Sequence, residues 1–262
     1  MTFTAMRLEI ADGLARLTFT DAARGNPIDA TFCAELCEAA IQLSVNPDVR
    51  CVLMTAEGKA FSYGGDIGAF VADLDGLPAN IKRWTAGLHS AIARLQRMDA
   101  PIVAAVQGVC AGGMAGVAAG ADIVIAADNA RFVAAFAGIG FNNDSGSSIM
   151  YTRRMGLGRA RKFLLLNETL DAAGALAVGL ADEVVPAGQL VARAEAIAEQ
   201  LANGPTKAFG EIRRLLLSAE DQPLEAQLEL EAQALARTAG TADAREGLTA
   251  FAQKRRPAFT GR

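Results

Sequence analysis

Between Pro101 and Ala121 the chain carries no charged residue, and this stretch limits the possible folds more than any other. Its length approaches that of a membrane-spanning helix, and Gly112-x-x-x-Gly116 and Gly116-x-x-x-Gly120 have the spacing at which such helices pack. Gln107-Gly108 and Gly112-Gly113 interrupt it, however, and Ala rather than Leu dominates. It therefore reads as a buried strand over Ile102–Val106, a turn, and a helix of small residues. Hiding such a helix takes a substantial core, which 262 residues at 52% hydrophobic content can supply.

Around this centre the pattern is α/β. MRLEI-ADG-LARLTFT alternates apolar residues about Asp12-Gly13, the signature of a two-stranded hairpin. Phe32, Leu36, Ala40 and Leu43 recur at helical spacing, and an apolar β run follows over Val49–Thr55. A second round places a helix at Asn80–Arg97, then strands at Ile102–Val106, Ile123–Ala126 and Arg131–Ala134. From Gly158 on, helices replace strands apart from Glu183–Val185. Pro205–Ser218, Leu224–Thr238 and Ala242–Gln253 carry apolar stripes that need a partner, their own core or a second subunit.

Several function classes are excluded early. A net charge of −4 provides no basic field for nucleic acid, and Lys254-Arg255-Arg256 is too short to change that. No His/Cys/Asp cluster has metal-ligand spacing, and no Gly run fits a dinucleotide or P-loop context, so neither metal nor nicotinamide is expected. Cys33, Cys37, Cys51 and Cys110 do not form a disulfide framework and read as reduced. The N-terminus lacks a basic region followed by an apolar run, so the cytoplasm is the expected location, with no membrane partner. Arg153-Arg154 and Arg159/Arg161-Lys162 read as solvated helix faces.

Two Gly-rich turns remain. Lys59-Ala60-Phe61-Ser62-Tyr63-Gly64-Gly65-Asp66 follows a strand and precedes a helix, and so does Val109-Cys110-Ala111-Gly112-Gly113-Met114. Such turns leave backbone N–H groups unpaired at a helix N-terminus, where the dipole favours negative charge. Each alone can be an ordinary turn. Together they can converge on one oxygen as an oxyanion hole.

VLMTAEGKAFSYGGDI, PIVAAVQGVCAGGMAG with ADIVIAADNARF, and the ending EGLTAFAQKRRPAFTGR resemble the crotonase family, the enoyl-CoA hydratase/isomerase family, nearly from end to end. The resemblance implies a ββα superhelix over residues 1–195 that binds acyl-CoA. It also implies a C-terminal helical trimerisation region over 196–262, giving a homotrimer or dimer of trimers. Coenzyme A enters only as part of the thioester substrate, and no separate cofactor is implied. By motif position, Tyr63 and Gly113 would supply the two oxyanion-hole N–H groups. The adenine and pantetheine would lie against Ala60, Ser62, Gly64, Asp66 and Ile67, with Arg24 near the phosphates and Phe251 and Lys254 reaching over from the C-terminal part. Tyr63, Trp84, Phe132, Phe136 and Phe141 would shape the acyl pocket.

The chain departs from the family where hydratases carry two glutamates: those positions are Gly116 and Phe136, and neither transfers a proton. Asp144 precedes a helical run over Ser147–Met155 and reads from the residues alone as an N-cap. The resemblance offers another role, because position 144 matches the base of some enoyl-CoA isomerases and the nucleophile of aryl-CoA dehalogenases. His89 lies off the apolar stripe of Trp84, Leu88, Ile92 and Leu95 and reads as a surface residue, yet it matches the dehalogenases' water-activating histidine. The leading expectation is enoyl-CoA isomerase-type proton transfer with Asp144 as base. The alternatives are nucleophilic Asp144/His89 hydrolytic chemistry on an acyl- or aryl-CoA, a non-catalytic acyl-CoA binder, and, least in keeping with Gly116 and Phe136, a hydratase.

Overall fold

The computed structural model describes residues 2–262. The hairpin forms as expected: β1 (Met6–Ala11) pairs antiparallel with β2 (Leu14–Phe19) across Asp12 and Gly13, both at positive φ. α1 (Ala30–Val45) then leads to β3 (Cys51–Ala56), short α2 (Ile67–Ala72) and α3 (Leu77–Arg97). The uncharged stretch resolves into β4 (Ile102–Val106), β5 (Val109–Ala111) and α4 (Gly112–Ala119), followed by β6 (Ile123–Ala127) and β7 (Arg131–Val133). No helix among the described residues is long and apolar enough to cross a membrane.

α5 (Ser147–Leu165) is broken at Gly156, and β8 (Thr169–Asp171), α6 (Ala172–Ala177) and β9 (Glu183–Val185) follow it. β8 corrects the expectation that Glu183–Val185 is the one strand after Gly158. With three residues it is too short to show alternation, and its pairing with β7 identifies it. α7 (Leu190–Ala202), α8 (Thr206–Ser218), α9 (Leu224–Ala239) and α10 (Ala242–Ala252) complete the chain.

Six strands form one sheet in the order β1-β2-β3-β4-β6-β9, parallel from β2 onward, and β5-β7-β8 form a second, smaller one. On one face of the large sheet, Phe19, Val52, Met54, Ala104 and Val106 pack with α1, α3 and α4 in the main core. On the other, Leu53, Val103, Ala105 and Ile125 meet Leu190, Ala194, Ala198 and Ala202 of α7. Because α7 runs across position 195 and closes this second face, residues 196–202 pack on the sheet and do not begin a separate helical region.

α8 is tied down by Arg213, whose guanidinium is almost fully buried. It donates to the carbonyls of Leu95, Met98 and Ala100 and pairs with Asp122 at 2.9 Å. Arg154 is similarly committed, to Ala119 O, Ala121 O and Asp182, so it is not the solvated charge expected of it. Arg213→Ala leaves three carbonyls and a carboxylate without their donor and is expected to destabilise the fold by about 3–5 kcal/mol. Chemical denaturation of wild type and variant checks this.

Candidate active site

The two Gly-rich turns meet because β5 continues the chain beside the turn after β3. Ser62 and Cys110 form a bridge, with Ser62 N–H donating to Val109 O at 3.0 Å and Ala111 N–H to Ser62 O at 2.9 Å. The approach is close enough that a Cβ on Gly64 would sit 3.0 Å from Ala111 O, and Gly64 also has φ +88°. Ser62 is therefore framework: its hydroxyl donates to Asn26 O at 2.7 Å and accepts from Gly64 N–H at 3.0 Å. This corrects its expected place against coenzyme A. Ala60 is also buried, its carbonyl accepting from Asn26.

Accounting for N–H groups moves one oxyanion donor. Tyr63 N–H donates to Gly25 O at 3.0 Å and Asp66 N–H to Ile28 O at 3.2 Å, whereas Gly65 N–H has no acceptor among the described residues. Gly113 N–H is also without an acceptor, in the first turn of α4, where helical N–H groups have no partner of their own. The unpaired N–H groups are thus those of Gly65 and Gly113, not Tyr63 and Gly113. A Cβ on Gly113 would lie 2.5 Å from Ser145 Oγ and 2.8 Å from Ile28 Cδ1, so the position admits only glycine without rearrangement.

Both donors line a cavity of about 620 Å³. Its walls include Tyr63, Trp84, Phe136 and Phe141, as expected, with Ile28, Phe70 and Ile81 added. Trp84, Phe70 and Phe141 stack in a row with 5.9 Å between successive centroids. Phe132 does not belong: strand alternation turns it into the core, fully buried, and presents Val133 to the cavity instead. Cys33 also reaches the cavity, but burial, reinforced by the negative charges of Asp29 and Asp144, pushes its pKa up to about 12, so it stays a thiol and is no nucleophile.

Asp144 and His89 line the same cavity, with His89 Nε2 2.6 Å from Asp144 Oδ1. The capping role open to Asp144 is not what the structure contains. α5 has Gly146 at its N-cap with no side-chain cap bond, and Ser147 N–H reaches the Asp144 carbonyl, not its carboxylate. Ser145 at φ +58° and Gly146 at φ +75° turn the chain so that the carboxylate points away from the helix start. The carboxylate is 37% exposed, less enclosed than the surrounding phenylalanines led one to expect. His89 is no isolated surface residue, because one turn of α3 past Thr85 brings it to the cavity.

Neither hydratase glutamate position carries a carboxylate, and the first has no room for one. Gly116 lies in fully buried α4, and a Cβ there would collide with Ser147 Oγ at the start of α5. Phe136 fills its own position as cavity wall.

Of the expected coenzyme A contacts, Gly64 and Ile67 line the cavity. Arg24 is engaged by Asp21 at 2.9 Å, Asp29 at 3.0 Å and Asp66 at 2.5 Å, so a phosphate must compete with three carboxylates for it. Asp66 caps α2 through Ala69 N–H, and that bond, with Arg24, holds its carboxyl below the usual range. Phe251 and Lys254 do not line the cavity of their own chain, and Phe251 is 85% exposed.

Residues 9–262 match the family model described as enoyl-CoA hydratase/isomerase. The chain belongs to this family. It is 35% identical over 262 residues, all of both chains, to a Rhodobacter capsulatus protein named "Probable enoyl-CoA hydratase". It is equally 35% identical to the 1,2-epoxyphenylacetyl-CoA isomerase of Escherichia coli, over 97% of each chain. Among solved structures, an enoyl-CoA hydratase from Polaromonas superposes with a TM-score of 0.92 at 28% identity, covering 98% of this chain and 100% of the other. The chain is thus a crotonase-fold acyl-CoA enzyme with two unpaired backbone N–H groups in its cavity and without the hydratase glutamates.

Amide-to-ester exchange at Gly65 or Gly113 deletes an N–H without adding an atom. Each exchange is expected to lower kcat by roughly 10²–10³-fold. The same exchange at Tyr63 should leave kcat within a few-fold, because that N–H serves Gly25. Steady-state kinetics of the three semisynthetic proteins distinguish the assignments.

Proposed function

We infer that the chain moves a double bond within an acyl-CoA thioester, with Asp144 as the proton-transferring base. The observation that carries this reading is that Asp144 is the carboxylate turned into a cavity lined by two unpaired backbone N–H groups. Gly65 and Gly113 hold the thioester oxygen as negative charge develops on it, which makes the adjacent carbons acidic. Asp144 takes a proton from one carbon and returns one to another, so a single carboxylate performs both transfers. His89, hydrogen-bonded at Nε2, fixes the orientation of Asp144 and leaves Oδ2 for the substrate. The aromatic row of Trp84, Phe70 and Phe141, with Phe136, provides an apolar wall for the acyl group. That a relative 29% identical over the whole chain is named trans-2-decenoyl-[acyl-carrier-protein] isomerase, in Streptococcus mutans, supports the same reading.

The 2.6 Å contact to His89 favours a second reading, in which Asp144 attacks the acyl or aryl group and His89 activates the water that releases it. Assembly is part of the proposal too. Leu216, Leu224, Leu235 and Leu248 are each at least 67% exposed on the C-terminal helices, which suits a homotrimer or a dimer of trimers. In such an assembly Phe251 and Lys254 serve a neighbouring cavity.

With 3-enoyl-CoA esters, formation of the conjugated 2-enoyl product is expected to depend on Asp144, and Asp144→Asn to lower kcat by about 10²–10⁴-fold. Ultraviolet absorbance follows the product. Transfer of ¹⁸O from labelled water into the Asp144 carboxylate over repeated turnovers, without double-bond migration, would replace this reading with the nucleophilic one.

A further inference from the structure

His89 and Asp144 border two cavities. Adjoining the acyl cavity lies another of about 670 Å³, and His89, Asn142 and Asp144 line both. The two differ in chemistry. The acyl cavity is walled mainly by aromatic and aliphatic groups, whereas Gln96, Arg97, Asn143, Arg153 and Asp221 border the second. Of the Asp144 oxygens, Oδ1 is held by His89 and Oδ2 has only a 3.5 Å contact with Ser145 Oγ. The carboxylate is therefore reachable from both sides, and the imidazole stands beside it as part of the partition.

We propose that the second cavity is the solvent port of the base: Asp144 meets substrate on one side and exchanges its proton with water on the other. This rests on the reading of Asp144 as the base. In the first step a substrate C–H bond breaks, its electron pair becomes the thioester enolate, and the proton moves to Asp144. The carboxylic acid then exchanges that proton with water in the port, with no net gain or loss. It finally delivers a solvent-derived proton to the receiving carbon, restoring the carboxylate. No oxidant or reductant takes part. His89 is a positioning residue that holds Asp144 at the junction, and water need not enter the apolar cavity where the enolate forms.

The test is isomerisation of a 3-enoyl-CoA ester in D₂O, with the deuterium content of the product read by mass spectrometry at low conversion. A saturated acyl-CoA ester is followed in parallel for Asp144-dependent α-deuteration. The wild type is expected to place solvent deuterium at the receiving carbon in most product molecules. Ala93 and Ser148 are exposed residues lining the port but not the acyl cavity. Ala93→Trp and Ser148→Trp, which fill the port, should lower that label several-fold while leaving the rate of double-bond migration within about two-fold. Retention of substrate protium in the wild type, or unchanged label in both filled variants, overturns the port. If α-deuteration depends on Asp144 but no migration occurs, the isomerase reading fails and the port is judged on α-deuteration in the filled variants. Absence of both reactions overturns the two together.

Discussion

The site depends on the close approach of two backbones where the turn after β3 crosses the start of α4. Ser62 bridges Cys110, and Gly64 lies so near Ala111 that a methyl group would press on its carbonyl. That contact joins successive turns of the ββα superhelix and consumes the N–H groups of Ser62, Tyr63 and Gly64 within the framework. What remains unpaired is Gly65 on one side and Gly113 on the other. An oxyanion hole built this way needs no side chain and undergoes no reorganisation as charge develops. The neighbouring side chains serve the framework: Tyr63 lies over Gly25, and the Ser62 hydroxyl closes a hydrogen-bond circuit with Asn26 and Gly64.

The same crowding decides the proton chemistry. α4 packs on α5 so tightly that Ser145 and Ser147 occupy the space beside Gly113 and Gly116, which leaves no place for a glutamate on α4. The carboxylate comes instead from the loop before α5. Two successive residues at positive φ, Ser145 and Gly146, release Asp144 from the helix start and let it meet His89 from α3. A residue in that position of sequence ordinarily satisfies helix N–H groups, and here the backbone carbonyl of Asp144 and the Ser147 hydroxyl bond each other instead. Family membership supplies the acyl-CoA thioester, and in the proposed function these local features hand the proton transfer to Asp144.

Much of this was legible in the sequence. The hairpin at Asp12-Gly13, the buried strand Ile102–Val106, the small-residue helix and the two Gly-rich turns follow from periodicity and from the behaviour of glycine. Motif position points to Asp144 and His89, whereas residue patterns alone give a cap and a surface histidine. The errors share a cause, which is that they depend on what the fold does with individual backbone groups. Counting from a motif cannot reveal that Gly25 takes the Tyr63 N–H, nor that strand phase turns Phe132 into the core. Phe70 escaped notice because α2 is too short to show a periodic face, and the exposed length of α7 hid its role in covering the sheet. Motif position puts Arg24 near phosphates, while the fold surrounds it with Asp21 and Asp29 from its own stretch and Asp66 from the turn after β3.

In the proposed function, two backbone N–H groups polarise the thioester carbonyl. An isotope-edited vibrational spectrum of a bound, unreactive 2,4-dienoyl-CoA ester, labelled with ¹³C at the carbonyl, tests it directly. A carbonyl stretch well below its value for the free thioester in water is expected, still lowered in Tyr63→Ala and moved part of the way back when the Gly113 amide is replaced by an ester. A bound carbonyl at the frequency of the free thioester would contradict it.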